Sequence, residues 1–382
     1  MSGNENPFEP PAGGLSLYIH VPFCEKKCSY CAFDSCVPSE GEKDLWLDML
    51  AKELEWWQKR TGNSPLSLKT LYIGGGTPTV LDGRQWSRLT WIIDSFFNFE
   101  ENAEVTVEAN PNSLKTEHLL SWRDWKISRV SIGVQSFDDA ELEQLGRLHS
   151  SAQAYEAISA SLASGFSVSA DLMFGLPGQT FANWARTLRQ AAHSGVHHIS
   201  LYQLTIEPGT PWEYMQQDDL SDGYAAYRWA QWYMPRKGYS QYEISNFARQ
   251  GHESRHNMNY WSEGDYLGIG PGASGCIRGW RYTNVSGMDA YSKMLHSGRS
   301  VIAAGERLSA SKRTSEAAVL ALRTVKGIER AEFSQKYGDG EDDKIIEKLH
   351  QFPGDLYAVT DTVICLTPRG MRVANRIWSE LV

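Results

Sequence analysis

Short runs rich in β-branched residues alternate with helical segments in the first half of the chain, and this alternation constrains the fold more than any other feature. Six runs can be identified, at 15–21, 70–73, 104–108, 129–134, 167–173 and 199–206. Between them lie segments with apolar residues at helical spacing, such as 44–59 and 152–164. Repeated β–α units of this kind predict parallel strands covered by helices.

The residues that follow the strands distinguish two kinds of α/β fold. Groups capable of chemistry follow nearly every strand: Cys24, Gly74, Glu108, Gln135 and the Asp171–Gly175 segment. A barrel has this distribution, because the loops at the C-terminal ends of its strands together build the site. A doubly wound open sheet would concentrate such groups at one switch point. We therefore predict an α/β fold with a partial (β/α)6 TIM-like barrel.

The domain organisation follows from the changes in pattern along the chain. A polar segment, 1–14, is predicted to be a flexible N-terminus, and the barrel is expected to occupy 15–300. Residues 210–300 are rich in Trp, Tyr and Gly, and they predict an extension of the barrel. Two helices, a hairpin near 356–366 and a last helix at 368–381 predict a small C-terminal winged-helix-like α+β module over 301–382.

Charge and hydropathy exclude several classes of partner. The net charge is −9 and no long Lys/Arg cluster is present, so neither nucleic acid nor an anionic membrane surface is the expected partner. The N-terminus lacks the features of a secretory signal, and no apolar run reaches the roughly 20 residues of a membrane span. We expect a cytoplasmic protein with reduced thiols. Peripheral membrane contact and a homodimer remain open.

Three cysteines, Cys24, Cys28 and Cys31, form a C-x3-C-x2-C pattern directly after the first strand. Thiolates suit iron–sulfur clusters, and three of them on one loop can hold three irons of a 4Fe-4S cluster while the fourth iron stays open. The alternatives are a zinc site completed by His20 or Cys36, and a redox cysteine pair. A loop at the mouth of a barrel favours the cluster, because a ligand could reach its open iron.

The segment YIHVPFCEKKCSYC at 18–31 resembles the signature of the radical SAM superfamily. More narrowly, it resembles the family of oxygen-independent coproporphyrinogen III oxidases and their haem-chaperone relatives. Five further motifs occur in the family's order: GGGTP at 74–78, EANP at 108–111, GVQSF at 133–137, DLMFGLP at 171–177 and GIG at 268–270. The resemblance covers the chain from about residue 15 into the C-terminal module. It implies that S-adenosylmethionine (SAM) binds at the open iron.

The resemblance also implies a set of SAM contacts. Glycine backbone can approach the methionyl group closely, Glu108 can accept hydrogen bonds from a ribose or an ammonium, and Arg147 can pair with a carboxylate. For each polar residue the alternative is an ordinary hydrogen bond at a strand end. The sequence assigns no catalytic residue. The predicted contacts are Tyr18, Tyr30, Gly75, Gly76, Thr77, Glu108, Gln135, Arg147 and Asp171.

Two features indicate the branch of the family. Members that oxidise porphyrinogens carry a fourth cysteine where this chain has Phe33, and Cys36 does not match that position. The lack of a cysteine at position 33 argues against coproporphyrinogen oxidation. The segment HNMNYW, which begins at His256, resembles the H-N-x-x-Y-W signature of HemW-type haem chaperones. A neutral imidazole can ligate haem iron, and aromatic rings can contact a porphyrin. His256, Tyr260 and Trp261 are the predicted haem contacts.

The sequence therefore supports three functional hypotheses. The first is a haem chaperone that binds a 4Fe-4S cluster, SAM and haem, and delivers haem as cargo to acceptor proteins of the respiratory chain. The second is a radical SAM enzyme that acts on coproporphyrinogen III or a related tetrapyrrole. The third is a zinc-binding adaptor that uses the barrel only as a scaffold.

Overall fold

The computed structural model describes residues 14–62, 65–216 and 220–382. The predicted flexible N-terminus therefore lies, except for Gly14, outside the described residues. The strands are β1 (Leu15–Val21), β2 (Leu66–Gly75), β3 (Phe97–Ala109), β4 (Arg129–Gln135), β5 (Ser167–Phe174), β6 (His198–Gln203), β7 (Ser240–Gln241), β8 (Asn246–Ala248), β9 (Tyr266–Ile269), β10 (Ser274–Ile277), β11 (Trp280–Asn284), β12 (Ile302–Arg307), β13 (Ile328–Glu329), β14 (Tyr357–Val359) and β15 (Val363–Leu366).

The helices cover the outside of the sheet and build the C-terminal module. They are α1 (Glu42–Gln58), α2 (Gly83–Phe96), α3 (Thr116–Asp124), α4 (Asp139–Gln144), α5 (Ser151–Ala163), α6 (Phe181–His193), α7 (Gly223–Tyr233), α8 (Arg255–Trp261), α9 (Met288–His296), α10 (Ala310–Leu322), α11 (Arg330–Tyr337), α12 (Glu341–Leu349), α13 (Pro368–Met371) and α14 (Ala374–Leu381). None of the described helices combines the length and the apolar character needed to cross a bilayer.

The predicted barrel is confirmed by the order of the strands. Strands β1 to β6 are parallel and lie side by side in chain order, so every crossover moves in the same direction. A doubly wound sheet would reverse its direction after the first strands. Strand β9 is parallel to the free side of β1, and β10 to β12 follow it as antiparallel strands. Beyond β6, β8 and β7 complete a sheet of 12 strands within the described residues.

Side chains of the parallel strands alternate between the two faces of the sheet. In β1, Leu17 and Ile19 pack under the helices, whereas Tyr18 and His20 point to the other face. The neighbouring strands place further polar groups on that face, as the hydrogen bonds between them show; these are Ser16, Thr70, Tyr72, Glu108, Ser131, Ser169 and Asp171. A TIM barrel usually fills its interior with branched apolar side chains. This polar interior is instead suited to a ligand.

Helix α8 closes one end of this interior. The backbone amides of Arg255 and His256 donate to the carboxylate of Glu104 at 3.1 and 2.9 Å, so the positive end of the helix faces a negative charge. The ring of His256 lies 5.2 Å from the ring of Tyr72 on β2. His256, the first residue of the HNMNYW motif, is therefore inside the protein.

The C-terminal module has a second hydrophobic core, formed by α10 to α14 and the three-stranded sheet β13–β15–β14. The predicted hairpin is present as β14 and β15. The predicted last helix is interrupted at Val373, whose backbone leaves the helical region, and α12 is present in addition to the predicted helices. Strand β12 pairs with β11 in the large sheet. The module therefore begins near α10 rather than at residue 301.

An ion pair connects this module to the barrel. Nε of Arg323 donates to Glu243 at 2.8 Å, and Glu243 is completely buried. The guanidinium of Arg323 also lies 4.2 Å from the ring of Trp261. The end of the HNMNYW motif thus contacts the link between the two parts of the chain.

Candidate functional site

The cysteine loop begins where β1 ends, at the C-terminal mouth of the barrel. The amide of Cys24 donates to the carbonyl of Cys36 at 2.9 Å, and the amide of Cys36 donates to Pro22 at 2.9 Å. These two bonds close the base of the loop, and Cys24, Cys28 and Cys31 lie on it as free, half-buried thiols. Cys36 itself is exposed, and its backbone forms the two hydrogen bonds that close the loop.

The donors around the thiols fit an iron–sulfur cluster. The hydroxyl of Thr77 lies 3.5 Å from Sγ of Cys24, and Nη1 of Arg147 lies 3.5 Å from Sγ of Cys28. Such donors stabilise thiolates. In the described part of the chain, no three Cys, His, Asp or Glu residues converge on a point as they would around a single ion. A 4Fe-4S cluster takes one cysteine thiolate for each iron that the protein holds.

The glycine segment after β2 holds this loop in place. The amides of Gly76 and Thr77 donate to the carbonyls of Val21 and Phe23 at 2.7 and 2.6 Å. A Cβ on Gly76 would lie 2.5 Å from the carbonyl oxygen of Phe23. Gly75 has a φ of +104°, and a Cβ there would lie 2.3 Å from Nδ1 of His20. Both positions require glycine for packing, besides any approach of a ligand.

Two carboxylates occupy the polar interior near the glycines. Glu108 accepts from the hydroxyl of Tyr72 at 2.7 Å and from the amide of Gly75 at 2.9 Å. Burial outweighs these bonds and raises the pKa of Glu108 to about 7. Asp171 accepts from Ser131 at 2.9 Å, and burial raises its pKa as well. A positively charged ligand would favour the ionised form of both groups.

Arg147 provides the opposite charge beside the cluster loop. Its Nη2 donates to Asn110 at 2.8 Å and to the carbonyl of Gly133 at 2.8 Å. Its Nε is buried and has no hydrogen-bond partner within the described structure. Gln135, two residues after Gly133, has a φ of +64°, which is rare for a residue with a side chain. An unfilled guanidinium donor fits an anionic group such as the carboxylate of SAM.

The two predicted tyrosines flank the loop on different sides. The hydroxyl of Tyr18 lies 2.9 Å from Nδ1 of His20, and Nε2 of His20 donates to the carbonyl of Asp34 at 2.8 Å. Burial raises the pKa of Tyr18 and lowers that of His20, so both groups stay neutral. Tyr30 packs 6.1 Å from the ring of Trp212, and burial raises its pKa.

Sequence reasoning missed two residues of this site. Tyr72 orients Glu108 and contacts His256, and Asn110 orients Arg147. The two-residue period of β2 could have identified Tyr72, since it shares a face with Gly74. Asn110 lies within the EANP motif but received no role.

His256 is 1% exposed, and both of its ring nitrogens are hydrogen-bonded. Nδ1 lies 2.8 Å from the hydroxyl of Thr70, which itself donates to Ser16. Nδ1 therefore carries the proton, and Nε2 accepts from the hydroxyl of Tyr260 at 2.6 Å. Burial lowers the pKa of His256 to about 3. The imidazole is neutral, with its lone pair directed at Tyr260.

A cavity of about 1100 Å³ adjoins this pair. Tyr260 and Trp261 line it, and His256 lies behind Tyr260. The cysteine loop contributes Phe33, whose side chain is 62% exposed. Strands β9 to β12 and helix α10 provide the remaining surface. The structure thus brings the cysteine loop and the HNMNYW motif to one cavity.

Comparisons with known proteins agree with this arrangement. Residues 18–191 match the family model of the radical SAM superfamily. The chain is 33% identical over 378 residues to heme chaperone HemW of Bacillus subtilis (strain 168), covering 96% of this chain and 99% of that protein. It is 39% identical over 276 residues to heme chaperone HemW of Escherichia coli (strain K12), covering 69% and 70% of the two chains.

Solved structures give the same architecture. The structure of coproporphyrinogen III oxidase (HemN) from Escherichia coli, a radical SAM enzyme, superposes with a TM-score of 0.86. The match covers 98% of this chain and 90% of the other, at 23% sequence identity. At that identity the similarity shows a shared fold.

Proposed function

Because this chain belongs to the family of heme chaperone HemW within the radical SAM superfamily, we propose that it binds haem and delivers it to haem-requiring proteins, including those of the respiratory chain. One observation carries the proposal. The neutral Nε2 of His256 lies behind Tyr260, at a cavity large enough for a planar tetrapyrrole. Six free cysteines agree with the reducing cytoplasm that we propose as its location.

The proposed cofactors are a 4Fe-4S cluster on Cys24, Cys28 and Cys31, and SAM beside it. The bound cluster would supply an iron with an open coordination position. The side chains of this chain would then orient SAM: Arg147 through its unfilled Nε, and Glu108 with Asp171 through their negative charge. The other proposed contacts are Tyr18, Tyr30, Gly75, Gly76, Thr77 and Gln135.

The proposed haem site uses His256 as the axial ligand. Its Nε2 carries the lone pair, but the hydroxyl of Tyr260 must move away before iron can bind. The rings of Tyr260 and Trp261 would then contact the porphyrin, because large aromatic surfaces bury apolar ligands well. The burial that keeps His256 neutral preserves this ligand across the physiological pH range.

Titration of haem into the anaerobically reconstituted protein tests the proposal. Wild type should develop a Soret band typical of a histidine ligand, and His256→Ala should shift the band and weaken binding by about tenfold or more. His296→Ala, a change at an exposed histidine outside the cavity, is the matched control and should behave like wild type. Unchanged binding and spectrum in His256→Ala would remove His256 from its role.

Two further measurements separate a carrier from an enzyme. Haem-loaded protein should transfer haem to an apoprotein acceptor. The same preparation should leave coproporphyrinogen III unconsumed under anaerobic conditions with SAM and a reductant, since Phe33 stands where a fourth cysteine would be. Consumption of coproporphyrinogen would favour the enzyme hypothesis instead.

A further inference from the structure

We propose that Thr70 is a positioning residue of the haem site. Its hydroxyl, held by Ser16, keeps the proton of His256 on Nδ1 and so reserves the lone pair of Nε2 for iron. This inference rests on the proposed function and deepens it, because it identifies the residues that prepare the ligand before haem arrives. Neither Thr70 nor Ser16 lies in one of the family motifs.

Four residues at one level of the sheet face helix α8. Ser16 on β1 lies in register with Thr70 on β2 and with Tyr266 on β9. Thr70 in turn lies in register with Glu104 on β3. Because side chains alternate between the faces of a sheet, residues in register on neighbouring parallel strands share a face. These four side chains therefore form one row across β9, β1, β2 and β3.

This row holds the helix at three points. The carboxylate of Glu104 accepts the amide of His256 at 2.9 Å, which fixes the backbone of the proposed ligand. The hydroxyl of Thr70 lies 2.8 Å from Nδ1 of the same residue, which fixes its ring. The ring of Tyr266 packs edge-on against Tyr260, with 4.6 Å between the ring centroids. Strand residues thus set both the place and the orientation of the imidazole.

The direction of two hydrogen bonds decides which nitrogen of His256 carries the proton. Thr70 donates its only hydroxyl proton to Ser16 at 2.8 Å. Toward Nδ1 the same oxygen can therefore only accept, so Nδ1 donates. A neutral imidazole carries one proton, and Nε2 is left with the lone pair that haem iron needs. Metal-ligating histidines generally donate their other ring N–H in this way, which fixes the ring and strengthens the ligand.

Burial makes the hydroxyl of Thr70 hard to replace. Ser16, Thr70 and His256 are each at most 2% exposed, so solvent offers no substitute acceptor for Nδ1. A buried N–H without an acceptor is unfavourable, and without the hydroxyl the proton would move to Nε2, where the oxygen of Tyr260 can accept it. Iron could then bind Nε2 only after the proton had returned to an unpartnered Nδ1.

The ¹⁵N NMR spectrum of protein labelled at histidine tests the assignment without haem, because protonated and unprotonated ring nitrogens differ widely in chemical shift. In wild type, the signals of His256, identified by their loss in His256→Ala, should place the proton on Nδ1. In Thr70→Val, which keeps the shape of the side chain but removes the hydroxyl, the proton should move to Nε2. Thr70→Ser keeps a hydroxyl and should restore the wild-type pattern.

Haem titration of the same proteins measures the consequence for the ligand. Thr70→Val should bind haem at least about tenfold more weakly, and Thr70→Ser should bind it like wild type. Ser16→Ala frees the hydroxyl of Thr70 to donate to Nδ1, so it should also shift the proton to Nε2 and weaken binding. Thr106→Val is the matched control, because Thr106 is a buried strand threonine whose hydroxyl has no partner within the described structure. It should behave like wild type in both measurements.

Circular dichroism and thermal unfolding verify that each variant is folded, and Ser16→Ala decides the matter if Thr70→Val is not. A proton that stays on Nδ1 in the deciding variant, or that lies on Nε2 in wild type, overturns the role of Thr70. Undiminished haem affinity in that variant, or an equal loss in Thr106→Val, overturns it as well, while haem binding by wild type stands. Failure of wild type to bind haem overturns the proposed function itself, whatever the NMR spectra show.

Discussion

The hydroxyl of Tyr260 donates to Nε2 of His256 at 2.6 Å, one helical turn away on α8. The bond occupies the lone pair that a haem iron would need. The described conformation is therefore a closed form of the proposed haem site, in which the ligand histidine is protected inside the protein. Opening must break this hydrogen bond, whose net contribution is about 1 kcal/mol.

Replacing Tyr260 with Phe should strengthen haem binding. The variant keeps the aromatic ring but lacks the hydroxyl that bonds Nε2 of His256. About 1 kcal/mol need then not be spent on breaking that bond, and the dissociation constant should fall about fivefold. Tyr266→Phe is the control, since Tyr266 also lines the cavity and packs 4.6 Å from Tyr260. Soret titration measures both. Weaker binding by Tyr260→Phe would mean that the hydroxyl contacts haem directly.

Gly76→Ala should impair assembly of the cluster. The new Cβ would collide with the backbone oxygens of Val21 and Phe23, which cannot move without shifting the cysteine loop. We expect destabilisation of about 1–3 kcal/mol and at least a severalfold loss of iron and sulfide per chain after reconstitution. Gly83→Ala is the control, because a Cβ there meets nothing within 4 Å. Normal iron content in Gly76→Ala would show that the loop tolerates the shift.

The contribution of Glu53 to the stability of the protein should decrease as the pH rises. It accepts from Gly270 at 2.8 Å, Asn284 at 2.7 Å and the hydroxyl of Tyr291, yet burial raises its pKa from 4.5 to about 7. Because the folded pKa is above the unfolded value, its contribution to stability is complete below pH 4.5 and is lost as the pH rises to about 7.

Urea unfolding of wild type and Glu53→Gln at pH 5 and pH 8 measures this contribution. From pH 5 to pH 8, the free energy of unfolding should fall further in wild type than in Glu53→Gln. The difference between the two decreases should be on the order of 2 kcal/mol. Glu108 and His149 also have shifted pKa values, but they are present in both proteins. The difference between the two proteins therefore isolates the contribution of Glu53. Equal pH dependence of the two proteins would contradict the raised pKa.

Arg323→Ala should loosen the C-terminal module. The change leaves the buried carboxylate of Glu243 without its cation, and removing one partner of a buried pair costs about 3–5 kcal/mol. It also removes the guanidinium from Trp261. Arg369→Ala is the control, since its pair with Asp355 is exposed and contributes about 1 kcal/mol at most. Urea unfolding and protease cleavage near α10 report the effect; equal stability of the two variants would contradict it.

Local patterns were enough to predict the barrel and the position of its cysteine loop. Alternation with period two places Leu17 and Ile19 under the helices and Tyr18 and His20 in the interior, and this alternation is visible in the residues themselves. The three close cysteines likewise need no distant partner to be recognised. The predicted domain boundary at residue 301 is wrong for strand β12, because the pairing of β12 with β11 depends on a contact that no local period encodes.

The sequence alone thus determined the parallel strands, their order, the cysteine loop and the HNMNYW motif, because short-range periodicity and close spacing carry that information. Only the tertiary structure decided that Tyr260 covers Nε2 of His256, that Trp261 contacts Arg323, and that Arg278 and Arg307 share a cavity with Phe33. All but the first of these relationships join residues far apart in the chain. Such contacts arise when separate elements pack together, and hydrogen-bond geometry and burial, rather than residue order, set them.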